Sequence, residues 1–130
     1  MAFLIYKNDL TEVPAFEYLP CDDITVKVGS ALVMSGGHLI AASGTTKPQY
    51  ISMLGATVKT DGERIPVIRI LPTMIFETTL SAANSTIAAG KKYTLATNGE
   101  QITATDTGGT ATVCDFDGKA VGDKVRVRFE

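Results

Sequence analysis

The sequence predicts an all-β fold, a small antiparallel β-barrel or compact sandwich, and three observations carry that prediction. The ending Lys124-Val125-Arg126-Val127-Arg128-Phe129 alternates charge and hydrophobe without a break, the period-two signature of a strand with one face in water. Turn dipeptides recur between short apolar runs: Gly36-Gly37, Asp61-Gly62, Asn98-Gly99, Gly108-Gly109 and Asp117-Gly118. Composition agrees, because stiff Thr, Val and Ile abound beside 12 Gly and no Trp. A chain of 130 residues with 45% apolar content suits one domain with a real core, and a net charge of -2 excludes charge-driven disorder.

Taken from the C-terminus, the turns frame a four-stranded meander. Tyr93–Ala96, Gln101–Ala104, Ala111–Cys114 and the final strand are its members, and Asn98-Gly99 predicts a type I′ hairpin with positive φ at both central residues. The N-terminal half follows the same style, with runs at Ile24–Val28, Ala31–Met34, His38–Ala42, Ala56–Lys59 and Ile65–Ile70. Pro66 lacks a ladder donor, so its strand is expected to begin late or lie at an edge. Gly29, Gly90 and Gly122 each precede two small or polar residues and then hydrophobes two apart, a turn glycine feeding a half-buried strand. Leu80, Ala83, Ile87 and Ala88 fall at helical spacing before Gly90, whereas Ser81, Asn84, Ser85 and Thr86 compete for backbone bonds. A short helix and a surface loop are both open there.

Residues 1–20 stand apart from the all-β domain at 21–130. Phe3, Leu4, Ile5, Tyr6, Phe16 and Tyr18 include four of the nine aromatics, and Pro14 and Pro20 favour extended backbone before them. The segment reads as an extended N-terminal arm that needs a partner surface, either its own barrel or a neighbouring molecule. An ordinary first strand of that barrel is the other reading.

No constellation of catalytic residues emerges. His38 is the only imidazole, no Gly-x-Ser-x-Gly elbow exists, and a turn histidine facing solvent explains it. One His and two Cys, Cys21 and Cys114, cannot supply a four-ligand Cys/His zinc site, and two free thiols are favoured over a disulfide. Asp115-Phe116-Asp117-Gly118 lacks the further ligands a calcium loop needs and reads as a turn, as does Asp22-Asp23. Glu17, Glu63, Glu77 and Glu100 lack a context that would raise a carboxyl pKa for glycoside hydrolysis. The expectation is therefore no catalytic residue, no cofactor and no metal. Twelve basic against 14 acidic residues argue against nucleic-acid binding, and no apolar run reaches the length of a membrane helix. The N-terminus has no basic n-region or long apolar h-region, so synthesis in the cytoplasm without a signal peptide is expected.

Ala111–Phe116 and Met74–Thr78 carry apolar groups on alternate and intervening positions alike. Strands apolar on both faces need cover from another segment or subunit, so self-association is expected.

Three features together resemble the capsid decoration, or head-stabilising, proteins of tailed bacteriophages. They are the stretch from Val28-Gly29-Ser30-Ala31-Leu32 through Gly36-Gly37-His38-Leu39-Ile40 to Tyr50-Ile51, the ending Gly122–Phe129, and the apolar, proline-punctuated arm ahead of an all-β body. The resemblance implies a non-enzymatic virion protein on the outer capsid surface, a homo-oligomer (a trimer in that family) bound to the major capsid protein. Phe3 to Tyr6 would match the family's shell-contacting arm, which adds backbone pairing at a sheet edge. The alternative is a ligand- or carbohydrate-recognition β module of the fibre type, against which the missing Trp counts.

Overall fold

In the computed structural model, residues 2–8, 15–58 and 61–130 are described. They form twelve strands: β1 (Leu4–Asn8), β2 (Glu17–Cys21), β3 (Thr25–Val26), β4 (Ala31–Ser35), β5 (His38–Ala41), β6 (Tyr50–Ser52), β7 (Ala56–Thr57), β8 (Glu63–Arg69), β9 (Met74–Thr79), β10 (Lys92–Tyr93), β11 (Ala111–Phe116) and β12 (Lys124–Phe129). Strands β2-β5-β4-β6-β8 close a barrel, β1-β9-β12-β11-β10 make a five-stranded sheet, and β3 pairs with β7. The fold is thus all-β, with a closed small barrel as the alternating pattern predicts.

The barrel wall and the sheet share one core. Ala31, Ala42, Ile51 and Ile68 from the barrel pack with Phe3, Met74, Phe76, Val125, Val127 and Phe129, while Leu32, Leu39, Tyr50, Ile65 and Val67 form a second cluster. Period-two alternation sorts them. In the ladder Ala31 faces Ile51 and Ile51 faces Ile68, one residue out of phase with Leu32 opposite Tyr50. Strand β8 is apolar at Ile65, Val67 and Ile68 because both of its sides are covered.

The β11 strand is resolved differently from the expectation. A bulge between Val113 and Asp115 inserts Cys114 as an extra residue, so that Val113 opposes Val127, Asp115 opposes Arg126 and Phe116 opposes Val125. The bulge shifts the alternation by one residue, and Ala111, Val113 and Phe116 all join the core side. This strand needs no external cover for a second apolar face. Arg126 on the opposite side gathers the acids: its Nε lies 3.0 Å from Glu77 Oε2, and its Nη1 lies 3.0 Å from Asp115 Oδ1 and 2.5 Å from Asp117 Oδ1. The carboxylates of the Asp115–Gly118 turn are thereby spent on a guanidinium.

The C-terminal meander is shorter than expected. β10, β11 and β12 are consecutive antiparallel neighbours, but Gln101–Ala104 contributes only bridges, from Ile102 to Leu95 and Leu80. The Asn98-Gly99 reversal is not type I′, since positive φ occurs only at glycine among the described residues. Gly99 N donates to Ala96 O at 3.0 Å and Ala96 N to Gln101 O at 2.8 Å, a four-residue loop, Thr97 to Glu100, with Gly99 in the left-handed position. Asn98 stays on the ordinary side because its Oδ1 caps Glu100 N at 2.9 Å. Residues 80–89 form turns and no helix: Asn84 Oδ1 accepts from Thr86 N and Oγ1, so the local polar bonds win over helical ones. Pro66 sits inside β8 rather than at its start, opposite Tyr18. Its carbonyl accepts from Met53 N at 2.9 Å just where β6 has ended at Ser52, so no ladder acceptor there waits for its missing N–H.

The segment 1–20 supplies strands to both layers over its described residues; positions 9–14 lie outside them. β1 pairs antiparallel with β9, and β2 pairs with β8 in the barrel. Phe3 is 1% exposed and meets Phe129 edge-on, with ring centroids 5.1 Å apart. It is a core residue. Phe3→Ala therefore lowers unfolding free energy by about 3–5 kcal/mol, as large-to-small changes at buried aromatics do. Urea denaturation measures this; a loss under about 1 kcal/mol, the range of surface changes, would show that the N-terminal strand is only loosely attached.

Candidate functional site

Gly29 joins the N-terminal strand to the barrel. Its N donates to Ser52 O at 2.8 Å and its carbonyl accepts from Phe3 N at 3.0 Å. Its φ of 96° and the approach of Phe3 O, 2.5 Å from where a Cβ would stand, both require glycine. Beside this junction opens a groove of about 280 Å³ lined by Phe3, Leu4, Ile5, Val28, Gly29, Ile51 and Met53. Leu4, Ile5 and Val28 on its rim are 43%, 36% and 48% exposed. No lining residue is charged.

Tyr6, next in the chain, is exposed but lies outside the groove's lining. It is the extra residue of a bulge, since Ile5 opposes Phe76 and Lys7 opposes Ile75. Its ring lies 5.0 Å from the Arg126 guanidinium, a cation–π contact that fixes an exposed aromatic on the outer side of the sheet. Hydrogen bonds to the carboxylates push the Arg126 pKa above its ordinary value, Asp117 contributing most, so the charge under Tyr6 is permanent.

Of the six residues expected to make contact, Leu4 and Ile5 line the groove, Tyr6 is exposed outside its lining, over Arg126, and Phe3 reaches the groove but is buried. Phe16 and Tyr18 are exposed on the barrel at β2 but do not line the groove. Val28 was legible only as a strand residue; in fact β3 stops at Val26 and leaves Val28 outside. Its phase in Thr25-Val26-Lys27-Val28 does not mark it as exposed.

A second cluster lies at one rim of the barrel. His38 Nδ1, at the first residue of β5, is 3.1 Å from Asp22 Oδ1 and 2.9 Å from Asp61 Oδ1. His38 is therefore a partly buried, doubly carboxylate-paired histidine and not a turn residue facing solvent. Asp22 belongs to this cluster rather than to a merely solvated turn. Sequence spacing gives no hint of it, because the three residues meet only through barrel closure.

Both thiols are free, Cys21 buried in the barrel and Cys114 partly exposed at the bulge. Burial pushes the Cys21 thiol up to about 11, with Asp22, Asp61 and Glu63 adding to it. The unfolded thiol ionises near its ordinary 9.0, so the folded state keeps a proton that the unfolded state loses. Stability from this group is full below pH 9 and declines as pH rises toward 11.

No protein-family profile, curated protein or solved structure matches the chain.

At pH 8, native protein is expected to react with a thiol reagent at one position, Cys114, and at two after unfolding. Mass mapping of the modified peptide checks this. Rapid labelling of Cys21 in the native state would contradict the closed barrel.

Proposed function

We propose that this chain is a contact protein that binds other polypeptides, and specifically that it decorates the outer surface of a phage head through the Leu4–Tyr6 surface. The observation supporting this reading is the uncharged groove beside β1, rimmed by exposed Leu4, Ile5 and Val28. A monomer that leaves contiguous aliphatic side chains at a sheet edge gains free energy by covering them. The resemblance of the Val28–Ile51 stretch and the C-terminal strand to decoration proteins supplies the partner, the major capsid protein, and the trimeric assembly. Shell symmetry then multiplies a modest contact over many copies.

The mode of contact differs from strand addition by a free arm. β1 is already paired with β9, and the bulge at Tyr6 twists its outer edge away from a regular ladder. Side-chain burial in the groove is the better fit. Exposed Phe16 and Tyr18 favour a second reading, a carbohydrate-recognition module whose sugars stack on aromatic faces.

Heads of a phage encoding this chain, assembled without it, provide the test. Wild-type protein should co-sediment with them and behave as a trimer by light scattering. Leu4→Ser and Val28→Ser should each weaken co-sedimentation at least about tenfold while thermal stability stays near wild type. Removing residues 1–9 is unsuitable, because Phe3 leaves with them. Absence of co-sedimentation by folded wild type overturns the proposal, and a glycan-array signal abolished by Tyr18→Ala would install the second reading.

A further inference from the structure

Two carboxylates converge on a single imidazole nitrogen at the Asp22–His38–Asp61 cluster. Their donor atoms, with Nδ1, all lie within 4.8 Å of one another. Neutral His38 offers one N–H at most from Nδ1, so hydrogen bonding alone leaves two anions competing for one proton. The separations are those of a coordination sphere. Ligand atoms about 2.1 Å from a metal stand about 3.0 Å apart at right angles and about 3.4 Å apart in a tetrahedron. Nδ1 lies 3.1 and 2.9 Å from the two oxygens, at the first spacing and a few tenths of an ångström inside the second, so a small outward rotation of the exposed carboxylates opens a tetrahedral site.

The backbone holds these ligands in place. Asp22 N donates to Leu39 O at 3.0 Å, and Gly62 N donates to Cys21 O at 2.9 Å, which ties all three ligand segments together. Gly62 lies beside the imidazole: a Cβ added there would stand 3.5 Å from His38 Nε2. Partial exposure of the three side chains leaves the outer positions of a coordination sphere to water.

The place in the fold gives such a site a purpose. The barrel closes between β2 and β5 through a parallel contact with one registered pair, Cys21 opposite Leu39. Asp22 follows the first member and His38 precedes the second. A cation held by both, and by Asp61 ahead of β8, would clasp the least-paired seam of the barrel.

We propose that Asp22, His38 and Asp61 bind one divalent transition-metal ion of the zinc type, which fastens the β2–β5 seam. One imidazole and two carboxylates suit zinc and its first-row neighbours; magnesium and calcium, which prefer all-oxygen shells, should bind far more weakly. This proposal is independent of head binding and survives if that reading fails.

Equilibrium dialysis of the untagged full chain against zinc chloride, with magnesium and calcium chloride in parallel, tests it. The expected result is one zinc per chain, with affinity reduced on the order of 100-fold in Asp22→Asn, His38→Ala and Asp61→Asn. Asp61 is the most exposed of the three, so Asp61→Asn remains informative if His38→Ala does not fold. Saturating zinc should raise Tm by roughly 5–10 °C and slow hydrogen exchange at the Asp22 amide, which spans the seam. Zinc binding that Asp61→Asn leaves intact would assign the ion elsewhere and overturn the proposal. So would no binding at 100-fold molar excess, or equal binding of magnesium.

Discussion

Everything in this fold depends on a five-stranded sheet lying close against the outside of a five-stranded barrel. Close approach is what the small residues at that boundary permit. Ala31 and Ala42 face the sheet from the barrel, and Gly99 rests on them, its carbonyl accepting from Ala31 N at 2.9 Å. A Cβ at Gly99 would stand 2.9 Å from both Ala31 O and Ala42 O, so no larger residue keeps the two layers at this spacing. The large side chains, Phe76, Phe129 and Tyr93, fill the remaining space. Because this boundary is the larger of the two cores, the N-terminal strand that carries Phe3 into it is structural before it is anything else.

The all-β class and the strand positions were legible because alternation and turn glycines are local properties. The turn glycines ahead of Ala31, Lys92 and Lys124 all adopt positive φ, at Gly29, Gly90 and Gly122, as the repeated phrase implied. What local pattern cannot express is a change of phase. Ala111–Phe116 looks apolar on both faces because strict alternation is assumed, and one inserted residue at Cys114 turns the same letters into a one-sided strand. The same blindness hid Val28, which continues an alternation after its strand has ended. Gln101–Ala104 shows the opposite failure: a good strand pattern that bonds Thr94–Ala96 on one side and Ser81 on the other yet makes no continuous ladder, because Ile102 bridges both Leu80 and Leu95.

The candidate sites divide along this line. Leu4, Ile5 and Tyr6 could be singled out because an apolar run near a terminus is visible as such. The Asp22–His38–Asp61 cluster could not, since 16 residues separate its first two members and closure of a barrel, not spacing, unites them. Each residue taken singly has a sufficient local explanation as a turn residue. Only the shared nitrogen shows that local explanations are incomplete.

The ordered state of β1 decides what kind of contact this protein can make. A free arm would lose roughly 1–2 kcal/mol of backbone entropy per residue on docking, which a short apolar segment recovers with difficulty. Here Phe3 and the Phe3–Gly29 and Gly29–Ser52 hydrogen bonds have already fixed the strand within the monomer. In the proposed contact, Leu4, Ile5 and Val28 therefore act as parts of a rigid surface, with only side-chain freedom left to lose. Tyr6 is held in the same way, by a guanidinium that three carboxylates hold in turn. Pre-organisation of this kind favours a tight fit over adaptability: a partner has to present a complementary ridge to the groove, and a partner offering only a free strand edge finds the bulge in its way.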